Sequence, residues 1–162
     1  MKAPPRITVL LADDHTVVRQ GLRKLLEDER DIEVVGEAGS GRDAVELTAS
    51  LRPAVVVMDI AMPKSNGLEA TRLIKAENPE AKIVMLTTSN EDDDLFEAIK
   101  SGACGYLLKS IDTDELVEAL NQAQQGTPPF SSGLAAKLLG EFKRFHNSKE
   151  RVSSQGSEKK TE

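Results

Sequence analysis

The sequence predicts a doubly wound α/β fold, in which helices cover both faces of a five-stranded parallel sheet. Five short apolar runs rich in β-forming residues alternate with segments of helical periodicity, a pattern typical of βαβ units. The first, third and fourth runs are almost continuously apolar, as expected for strands that are buried on both faces. These two observations together favour a sheet between two helical layers.

The predicted strands and helices follow one another in strict order along the chain. The strands are expected at residues 7–12, 32–38, 54–59, 82–88 and 105–109. The helices are expected at about residues 15–28, 41–50, 66–77, 91–101 and 112–125. The first helix illustrates the evidence, because its apolar residues from Val17 to Leu26 recur at the spacing of one helical face.

Composition is that of one ordinary domain with an appendage. A chain of 162 residues with 39% hydrophobic content suffices for a single core. The single cysteine, Cys104, cannot form an internal disulfide, and no apolar stretch near the N-terminus resembles a signal peptide or a membrane span. These features favour a soluble protein of the cytoplasm, without a membrane partner.

Charge divides the chain near the segment GTPP at residues 126–129. The whole chain has a net charge of −6, but residues 131–162 contain seven basic and four acidic residues, a net charge of +3. The first 130 residues therefore contain 14 basic and 23 acidic residues, a net charge of −9. An acidic body repels nucleic acid and attracts cations, which argues against DNA binding and for metal binding by the main domain.

Polar residues follow the predicted strands at the edge where such folds bind ligands. Asp13 and Asp14 follow the first strand, and Asp59, Thr87 and Lys109 lie at the ends of the third, fourth and fifth. Since the carboxyl ends of parallel strands meet at one edge of the sheet, we expect three carboxylates, a hydroxyl and an ammonium to converge there.

Each of these residues also has an ordinary structural interpretation. Asp13 or Asp14 could cap the first helix, Thr87 could be a β-branched strand residue, and Lys109 could be solvated. Asp59 is harder to explain in this way, because a carboxylate that closes a buried strand needs a cation or hydrogen bonds to offset its desolvation.

Taken together, these residues predict a magnesium-dependent phosphoryl site. Three carboxylates in one pocket repel one another, and a hard divalent cation such as Mg²⁺, which prefers oxygen ligands, relieves that repulsion. A metal beside a lysine and a threonine suits a phosphoryl group, whose oxygens need Mg²⁺, an ammonium and hydroxyl or amide donors. Asp59 could then act as a nucleophile and form an aspartyl phosphate.

Four motifs resemble one known family. LLADDH, VVVMDIAMPKSNGLEATR, VMLTTSN and GACGYLLKS occur in the order and spacing of the receiver domain of two-component response regulators, in particular the NarL/FixJ (LuxR-type) transcriptional regulators. The resemblance covers about residues 5–126. It implies a CheY-like, flavodoxin-like sandwich of three layers with strand order 2-1-3-4-5, and a receiver domain over residues 1–126.

The resemblance also implies roles for the residues around the expected metal. Asp59 matches the phosphoacceptor, which would itself contact Mg²⁺. Asp13 and Asp14 match the acidic pair that holds this ion, Asp14 directly and Asp13 partly through water. The backbone carbonyl of Ala61 matches a further ligand, and Gly67 is expected to permit the turn after this loop.

Three more residues match the switch of the family. Thr87 corresponds to the hydroxyl that moves toward the phosphoryl group, and Lys109 to the lysine that pairs with it. Tyr106 corresponds to the aromatic residue whose orientation follows activation. The resemblance therefore implies a conformational switch that responds to phosphorylation, with no enzymatic activity beyond phosphoryl transfer to the domain itself and autodephosphorylation. No chemistry is assigned to His15, which follows the acidic pair.

The C-terminal part is expected to differ from the family. Residues 127–145 are predicted to form a linker with an amphipathic helix from residue 131, and the polar residues 146–162 a disordered tail. In the family a DNA-binding helix-turn-helix domain follows such a linker, and we expect it to be absent here. The chain is then either an excised receiver fragment or a receiver that acts through protein contacts alone.

The implied partners are a sensor histidine kinase and a second copy of the chain. The kinase would donate the phosphoryl group, phosphorylation would promote a homodimer, and DNA would be bound only through the missing domain. An aspartate-dependent phosphatase of the haloacid dehalogenase type is the alternative enzyme class. Such enzymes carry an aspartate two residues after the nucleophile, where this chain has Ala61, and their acidic pair follows the nucleophile instead of preceding it.

Overall fold

A computed structural model describes residues 6–60, 62, 67–87, 92–109 and 111–129, with the backbone alone for residues 92–96. Strands and helices alternate strictly along these residues. The strands are β1 (Ile7–Ala12), β2 (Ile32–Ala38), β3 (Val55–Met58), β4 (Ile83–Thr87) and β5 (Gly105–Leu108). The helices are α1 (Thr16–Glu27), α2 (Gly41–Leu51), α3 (Gly67–Glu77), α4 (Asp92–Ser101) and α5 (Thr113–Gln125).

The five strands form one parallel sheet with the order β2-β1-β3-β4-β5. This order confirms the predicted doubly wound fold. The chain moves outward from β1 to β2 and then returns to the other side of β1 for β3, so the strand order reverses between β1 and β3. Ala12 pairs with Met58 at the carboxyl ends of these two neighbours. Residues that directly follow β1 and β3 therefore lie at the point where doubly wound folds bind ligands.

Helices cover both faces of the sheet, and each face has its own hydrophobic core. The core on the side of α2, α3 and α4 includes Met58 and Met85. The core on the side of α1 and α5 includes Val57 and Val84. Every residue of β3 and β4 is buried, because successive side chains enter the two cores in turn. This explains why their sequences are almost continuously apolar, with Thr87 at the end of β4 as the exception.

The observed elements begin and end within one residue of the predicted ones wherever both termini are described. Asp59 lies directly after β3 and not within it. Thr88, the predicted end of the fourth strand, lies outside the described residues, as do Ala61, the predicted helix at 131–145 and the predicted disordered tail at 146–162. Among the described helices, none combines the length and the apolar character needed to cross a membrane.

The chain returns to the edge of the sheet after α5. Gly126 ends this helix in the left-handed conformation, with φ +88°, which lets the backbone reverse. The amide of Tyr106 then donates to the carbonyl of Pro129 at 3.0 Å. Pro129 also packs directly on Gly105, so the segment 127–129 covers part of the outer edge of β5.

We expect Gly105→Ala to displace this segment. A Cβ at residue 105 would lie 2.5 Å from Pro129 Cγ and 2.6 Å from its carbonyl oxygen, closer than real contacts allow. The free energy of unfolding should fall by about 1–3 kcal/mol, as is usual for overpacking. The amide of Tyr106 should also exchange hydrogen faster, because its acceptor moves away.

Urea denaturation and amide hydrogen exchange measure these two effects. Gly39→Ala is the control, because its Cβ would lie 3.5 Å from the nearest atom, a guanidinium nitrogen of Arg19, which is an ordinary contact. Wild-type exchange at Tyr106 in the Gly105→Ala variant would contradict the predicted displacement.

Candidate functional site

The backbone of the site extends the parallel sheet by one hydrogen bond beyond the strands. The amide of Asp59 donates to the carbonyl of Ala12 at 2.9 Å, and the amide of Lys109 donates to the carbonyl of Thr87 at 2.7 Å. The predicted site residues at the ends of β1, β3, β4 and β5 therefore lie along one rim, in positions that the strand pairing determines.

Asp13, Asp59 and Lys109 form a buried ionic cluster at this rim. Lys109 Nζ donates to Asp13 Oδ2 at 2.8 Å and to Asp59 Oδ2 at 3.2 Å. Both aspartates are only 4% exposed, and the lysine side chain is 17% exposed. One ammonium thus bridges two carboxylates that would otherwise repel each other in a poorly solvated place.

Burial and pairing have opposite effects on the pKa values of this cluster, and pairing outweighs burial. Burial alone would lower the pKa of Lys109, but the hydrogen bond to Asp13 and the charge of Asp59 raise it above its ordinary value. Burial alone would raise the pKa of Asp13, but the hydrogen bonds from Lys109 and from the His15 amide hold it below its ordinary value. Lys109 and Asp13 therefore remain a charged pair at neutral pH.

Asp14 completes a group of three carboxylates, with a ring nitrogen of His15 beside them, that suits a metal ion. One ligand atom from each of Asp13, Asp14, His15 and Asp59 lies within 4.8 Å of the others. Asp14 Oδ1 is buried and accepts no hydrogen bond from the described residues, although His15 Nδ1 lies 3.3 Å away. Such an orphaned carboxylate oxygen is costly unless a cation coordinates it, so the donor set fits Mg²⁺.

His15, to which no chemistry was assigned from its place after the acidic pair, also lies in this group. Its Nδ1 lies 3.2 Å from Asp13 Oδ1 and 3.3 Å from Asp14 Oδ1, and its ring is mostly exposed. Its backbone amide donates to Asp13 Oδ1 at 2.9 Å. His15 is also the N-cap residue of α1, without a side-chain capping bond. The first helix is therefore not capped by Asp13 or Asp14, which was the structural alternative for that pair.

Thr87 and Tyr106 lie on the same face of the sheet, beside the site. Tyr106 pairs with Met85 across β4 and β5, and Thr87 is two residues further along β4, so all three side chains point toward α4. Thr87 is 2% exposed and Tyr106 is completely buried. The structure thus places the two predicted switch residues in one layer.

Gly67 is needed for a reason other than the predicted one. A Cβ on Gly67, the first residue of α3, would lie 2.2 Å from the carbonyl oxygen of Asp59. Its φ does not lie in the left-handed region, unlike those of Gly102 and Gly126. The expected turn conformation is therefore wrong as an explanation. Glycine is required because the helix begins in contact with the Asp59 backbone.

Sequence reasoning also passed over Arg19, whose Nη1 donates to the backbone carbonyl of Asp13 at 2.6 Å. Its Nε donates to Glu37 on β2 at 2.9 Å. The sequence feature that could have indicated its role is the position of a basic residue one helical turn after His15, close to the acidic pair Asp13 and Asp14. It became informative only once α1 and β2 were seen to pack together.

The strand order and the acidic cluster at the carboxyl rim define a doubly wound α/β protein with a polar ligand-binding edge. The family model of the response regulator receiver domain matches residues 9–121. The chain belongs to this family.

Curated relatives are transcriptional regulators. LiaR, a transcriptional regulatory protein of Bacillus subtilis (strain 168), is 42% identical over 137 residues, which cover 85% of this chain and 65% of LiaR. The chain thus spans slightly less than two thirds of the length of this relative. The predicted resemblance to NarL and LuxR-type regulators is confirmed. Because these relatives are named as regulators, the comparison argues against the phosphatase alternative.

Solved structures agree with the fold. A LuxR-family response regulator from Aurantimonas sp. SI85-9A1 has a TM-score of 0.80 at 34% identity, over 84% of this chain and 97% of that one. The receiver domain of RcsB from Salmonella enterica serovar Typhimurium, solved with the phosphomimetic BeF3⁻, has a TM-score of 0.73 at 28% identity, over 82% and 99%. A structure of two RcsB dimers bound to two parallel DNAs has a TM-score of 0.74 at 28% identity, over 82% and 68%.

Proposed function

We propose that this chain is a phosphorylation-activated receiver that accepts a phosphoryl group on Asp59. The observation that carries the proposal is the convergence of three carboxylates within 4.8 Å of one another, two of them bridged by Lys109. A nucleophile, a metal-binding acidic pair and a cation for the incoming charge are then present together at the rim where the fold binds ligands.

In the proposed reaction a carboxylate oxygen of Asp59 attacks the phosphorus of a phosphohistidine or of a small acyl phosphate. A new O–P bond forms, and the bond from phosphorus to the imidazole nitrogen or the acyl oxygen breaks, so that the leaving group departs with that electron pair. Lys109 Nζ, already 3.2 Å from Asp59 Oδ2, offsets the negative charge that the phosphoryl group brings.

Mg²⁺ is the proposed cofactor, held by Asp13, Asp14 and Asp59, with the carbonyl of Ala61 as a further ligand. When bound, the ion supplies electrostatic stabilisation of the phosphoryl oxygens during transfer. The acidic pair orients its carboxylates for this purpose, and the orphaned oxygen of Asp14 supports the assignment. Lys109 keeps the carboxylates of Asp13 and Asp59 together before phosphorylation.

The proposed switch connects this site to the face formed by α4, β5 and α5. Phosphorylation adds charge and strong acceptor oxygens beside Thr87, whose hydroxyl moves toward them. Tyr106 lies on the same side of the sheet and follows into the space that Thr87 leaves. The surface above β5 then changes its shape and its partners.

Incubation of the full chain with acetyl phosphate and Mg²⁺, followed by intact mass measurement, tests the proposed function. We expect a gain of one phosphoryl group that disappears when EDTA replaces Mg²⁺. Absence of any gain at high acetyl phosphate concentration would refute the proposal. A gain of equal rate in EDTA would refute the role of the metal.

We further propose a sensor histidine kinase as the physiological donor and transcription as the output. The regulators that match this chain support this proposal, as does the structure of RcsB dimers on DNA. The domain that contacts DNA would be a helix-turn-helix module joined to residue 126 through the linker at 127–162, and residues 1–126 would serve as its switch.

Phosphorylation is expected to promote dimerisation, because a helix-turn-helix output that reads paired half-sites requires two copies. Light scattering with and without beryllofluoride should show a higher mass with this phosphoryl mimic when Mg²⁺ is present. The Asp59→Asn variant is the control, since it removes the residue that the mimic is expected to modify. Equal masses of the wild-type chain with and without the mimic, over a wide concentration range, would contradict the prediction.

A further inference from the structure

We propose that Arg19 is a positioning residue for the metal-binding pair, and that it fixes the peptide group between Asp13 and Asp14. This inference rests on the proposed function, because it concerns how the acidic pair is presented to Mg²⁺. It adds a residue on α1 to a site that is otherwise formed at the ends of strands.

The contacts of Arg19 reach the backbone of the pair and not its carboxylates. Arg19 Nη1 donates to the carbonyl oxygen of Asp13 at 2.6 Å, and this carbonyl belongs to the peptide that joins Asp13 to Asp14. On the other side of the same residue, the amide of Asp13 donates to the carbonyl of Ala38 at 3.0 Å. The backbone of Asp13 is therefore held at both its donor and its acceptor.

The two groups that hold the Asp13 backbone, the Ala38 carbonyl and the Arg19 guanidinium, both depend on the end of β2. Ala38 is the last residue of that strand, and Glu37, directly before it, accepts from Arg19 Nε at 2.9 Å. Glu37 also accepts from Arg23 Nη1 at 2.8 Å, so it receives one guanidinium on each carboxylate oxygen. The Arg19 side chain is only 15% exposed, which limits the conformations in which it can make these bonds.

The position of this cation needs an explanation other than helix stability. The amide of Arg19 donates to the carbonyl of His15 at the start of α1, where the helix dipole is positive and a cation is unfavourable. An arginine there is offset by its bonds to Glu37 and to the Asp13 carbonyl. A planar guanidinium can reach these two acceptors at once from adjacent nitrogens, whereas a lysine presents one point charge.

The consequence concerns the relative orientation of two neighbouring carboxylates. Rotation of the peptide between Asp13 and Asp14 would turn the Asp14 side chain relative to that of Asp13, which Lys109 and the His15 amide already hold. With the peptide fixed, the orphaned Asp14 Oδ1 stays within the donor group. Partners of this kind in an outer layer commonly determine how well metal ligands are presented.

Isothermal titration calorimetry of the full chain with Mg²⁺ tests this assignment. Arg19→Gln should raise the Kd for Mg²⁺ by about tenfold, whereas Arg23→Gln should leave it within about twofold of wild type. Arg23 is the matched control, because it also lies on α1 and also donates to Glu37, but among the described hydrogen bonds it makes none to Asp13. Thermal unfolding should show comparable losses of Tm for both variants.

Three further variants make the test decisive. Arg19→Lys should bind Mg²⁺ as weakly as Arg19→Gln, because a lysine keeps the charge but cannot make both hydrogen bonds of the planar guanidinium. Full recovery of the wild-type Kd in Arg19→Lys would overturn the inference. Glu37→Gln keeps Arg19 but removes the carboxylate that holds its guanidinium, so this variant should also raise the Kd for Mg²⁺. It replaces Arg19→Gln in the test if Arg19→Gln does not fold. Asp14→Asn should weaken Mg²⁺ binding most, while leaving the fold intact.

The outcomes separate the inference from the proposed function. A wild-type chain that binds no Mg²⁺ would contradict the proposed function itself. A wild-type chain that binds Mg²⁺, together with an unchanged Kd in folded Arg19→Gln or an equal loss in Arg19→Gln and Arg23→Gln, would overturn only the positioning role.

Discussion

Asp59→Asn is expected to abolish the phosphoryl mass gain of the chain with acetyl phosphate and Mg²⁺. The substitution keeps the size and shape of the side chain and an oxygen that can accept from Lys109, but it removes the nucleophilic carboxylate. Asp13 is equally buried, and its carboxylate lies 2.8 Å from the same ammonium. In the proposed function, however, Asp13 holds Mg²⁺ and Asp59 alone is the nucleophile. The loss should therefore be complete.

The measurement is intact mass after a time course that saturates the wild-type chain. Asp28→Asn is the matched control, because Asp28 is an exposed aspartate at the C-terminal end of α1, and the rim lies at the other end of this helix. It should be labelled like wild type. Labelling of Asp59→Asn at the wild-type rate, with circular dichroism showing a folded protein, would refute Asp59 as the acceptor.

Gly67→Ala is expected to impair both folding and labelling. The new Cβ would lie 2.2 Å from the Asp59 carbonyl oxygen and 3.0 Å from Met58 Cγ. Since one of these neighbours is backbone, either α3 or the segment that carries Asp59 must move. The free energy of unfolding should fall by about 1–3 kcal/mol. The labelling rate should fall by roughly 10²-fold, because a displacement of the nucleophile of about 1 Å has effects of that size.

Gly21→Ala is the control for this variant. Gly21 lies within α1, and a Cβ there would meet no atom within 4 Å. Alanine should therefore stabilise the helix by about 0.5–1 kcal/mol and leave labelling unchanged. Urea denaturation and timed mass measurements on both variants give the comparison. A Gly67→Ala variant with the wild-type labelling rate would show that α3 can shift without moving Asp59.

The fold was predictable because its strands have an unambiguous environment. In β3 the residues Val55 to Met58 are all buried, so the sequence had to be apolar at every position and bounded by polar residues. The order of the strands in the sheet could not be predicted from periodicity. It followed from the resemblance to a known family, because periodicity identifies strands and helices but does not determine which strands pair.

The site was predictable where it depends on strand ends and not where it depends on packing between helices and strands. Asp13 and Asp59 follow the neighbouring strands β1 and β3, and parallel pairing brings them together. Lys109 follows β5, on the other side of β4, and its long side chain reaches both carboxylates along the rim. Arg19 and Glu37 are 18 residues apart in sequence, and their contact requires a particular orientation of α1 on β2. Gly67 was singled out correctly but for the wrong reason, because its close approach to Asp59 arises from tertiary structure.

The burial of Tyr106 gives the protein a built-in optical probe. The chain contains one tyrosine and no tryptophan, so its tyrosine emission and the tyrosine bands of its near-ultraviolet dichroism arise from a single ring. That ring is wholly enclosed between β5 and the layer of α4. Any movement that changes the surroundings of this ring, including a shift into the space beside Thr87, changes the intensity and polarisation of this one chromophore. Stopped-flow fluorescence of the unlabelled chain can therefore follow the proposed rearrangement in real time, without an engineered reporter.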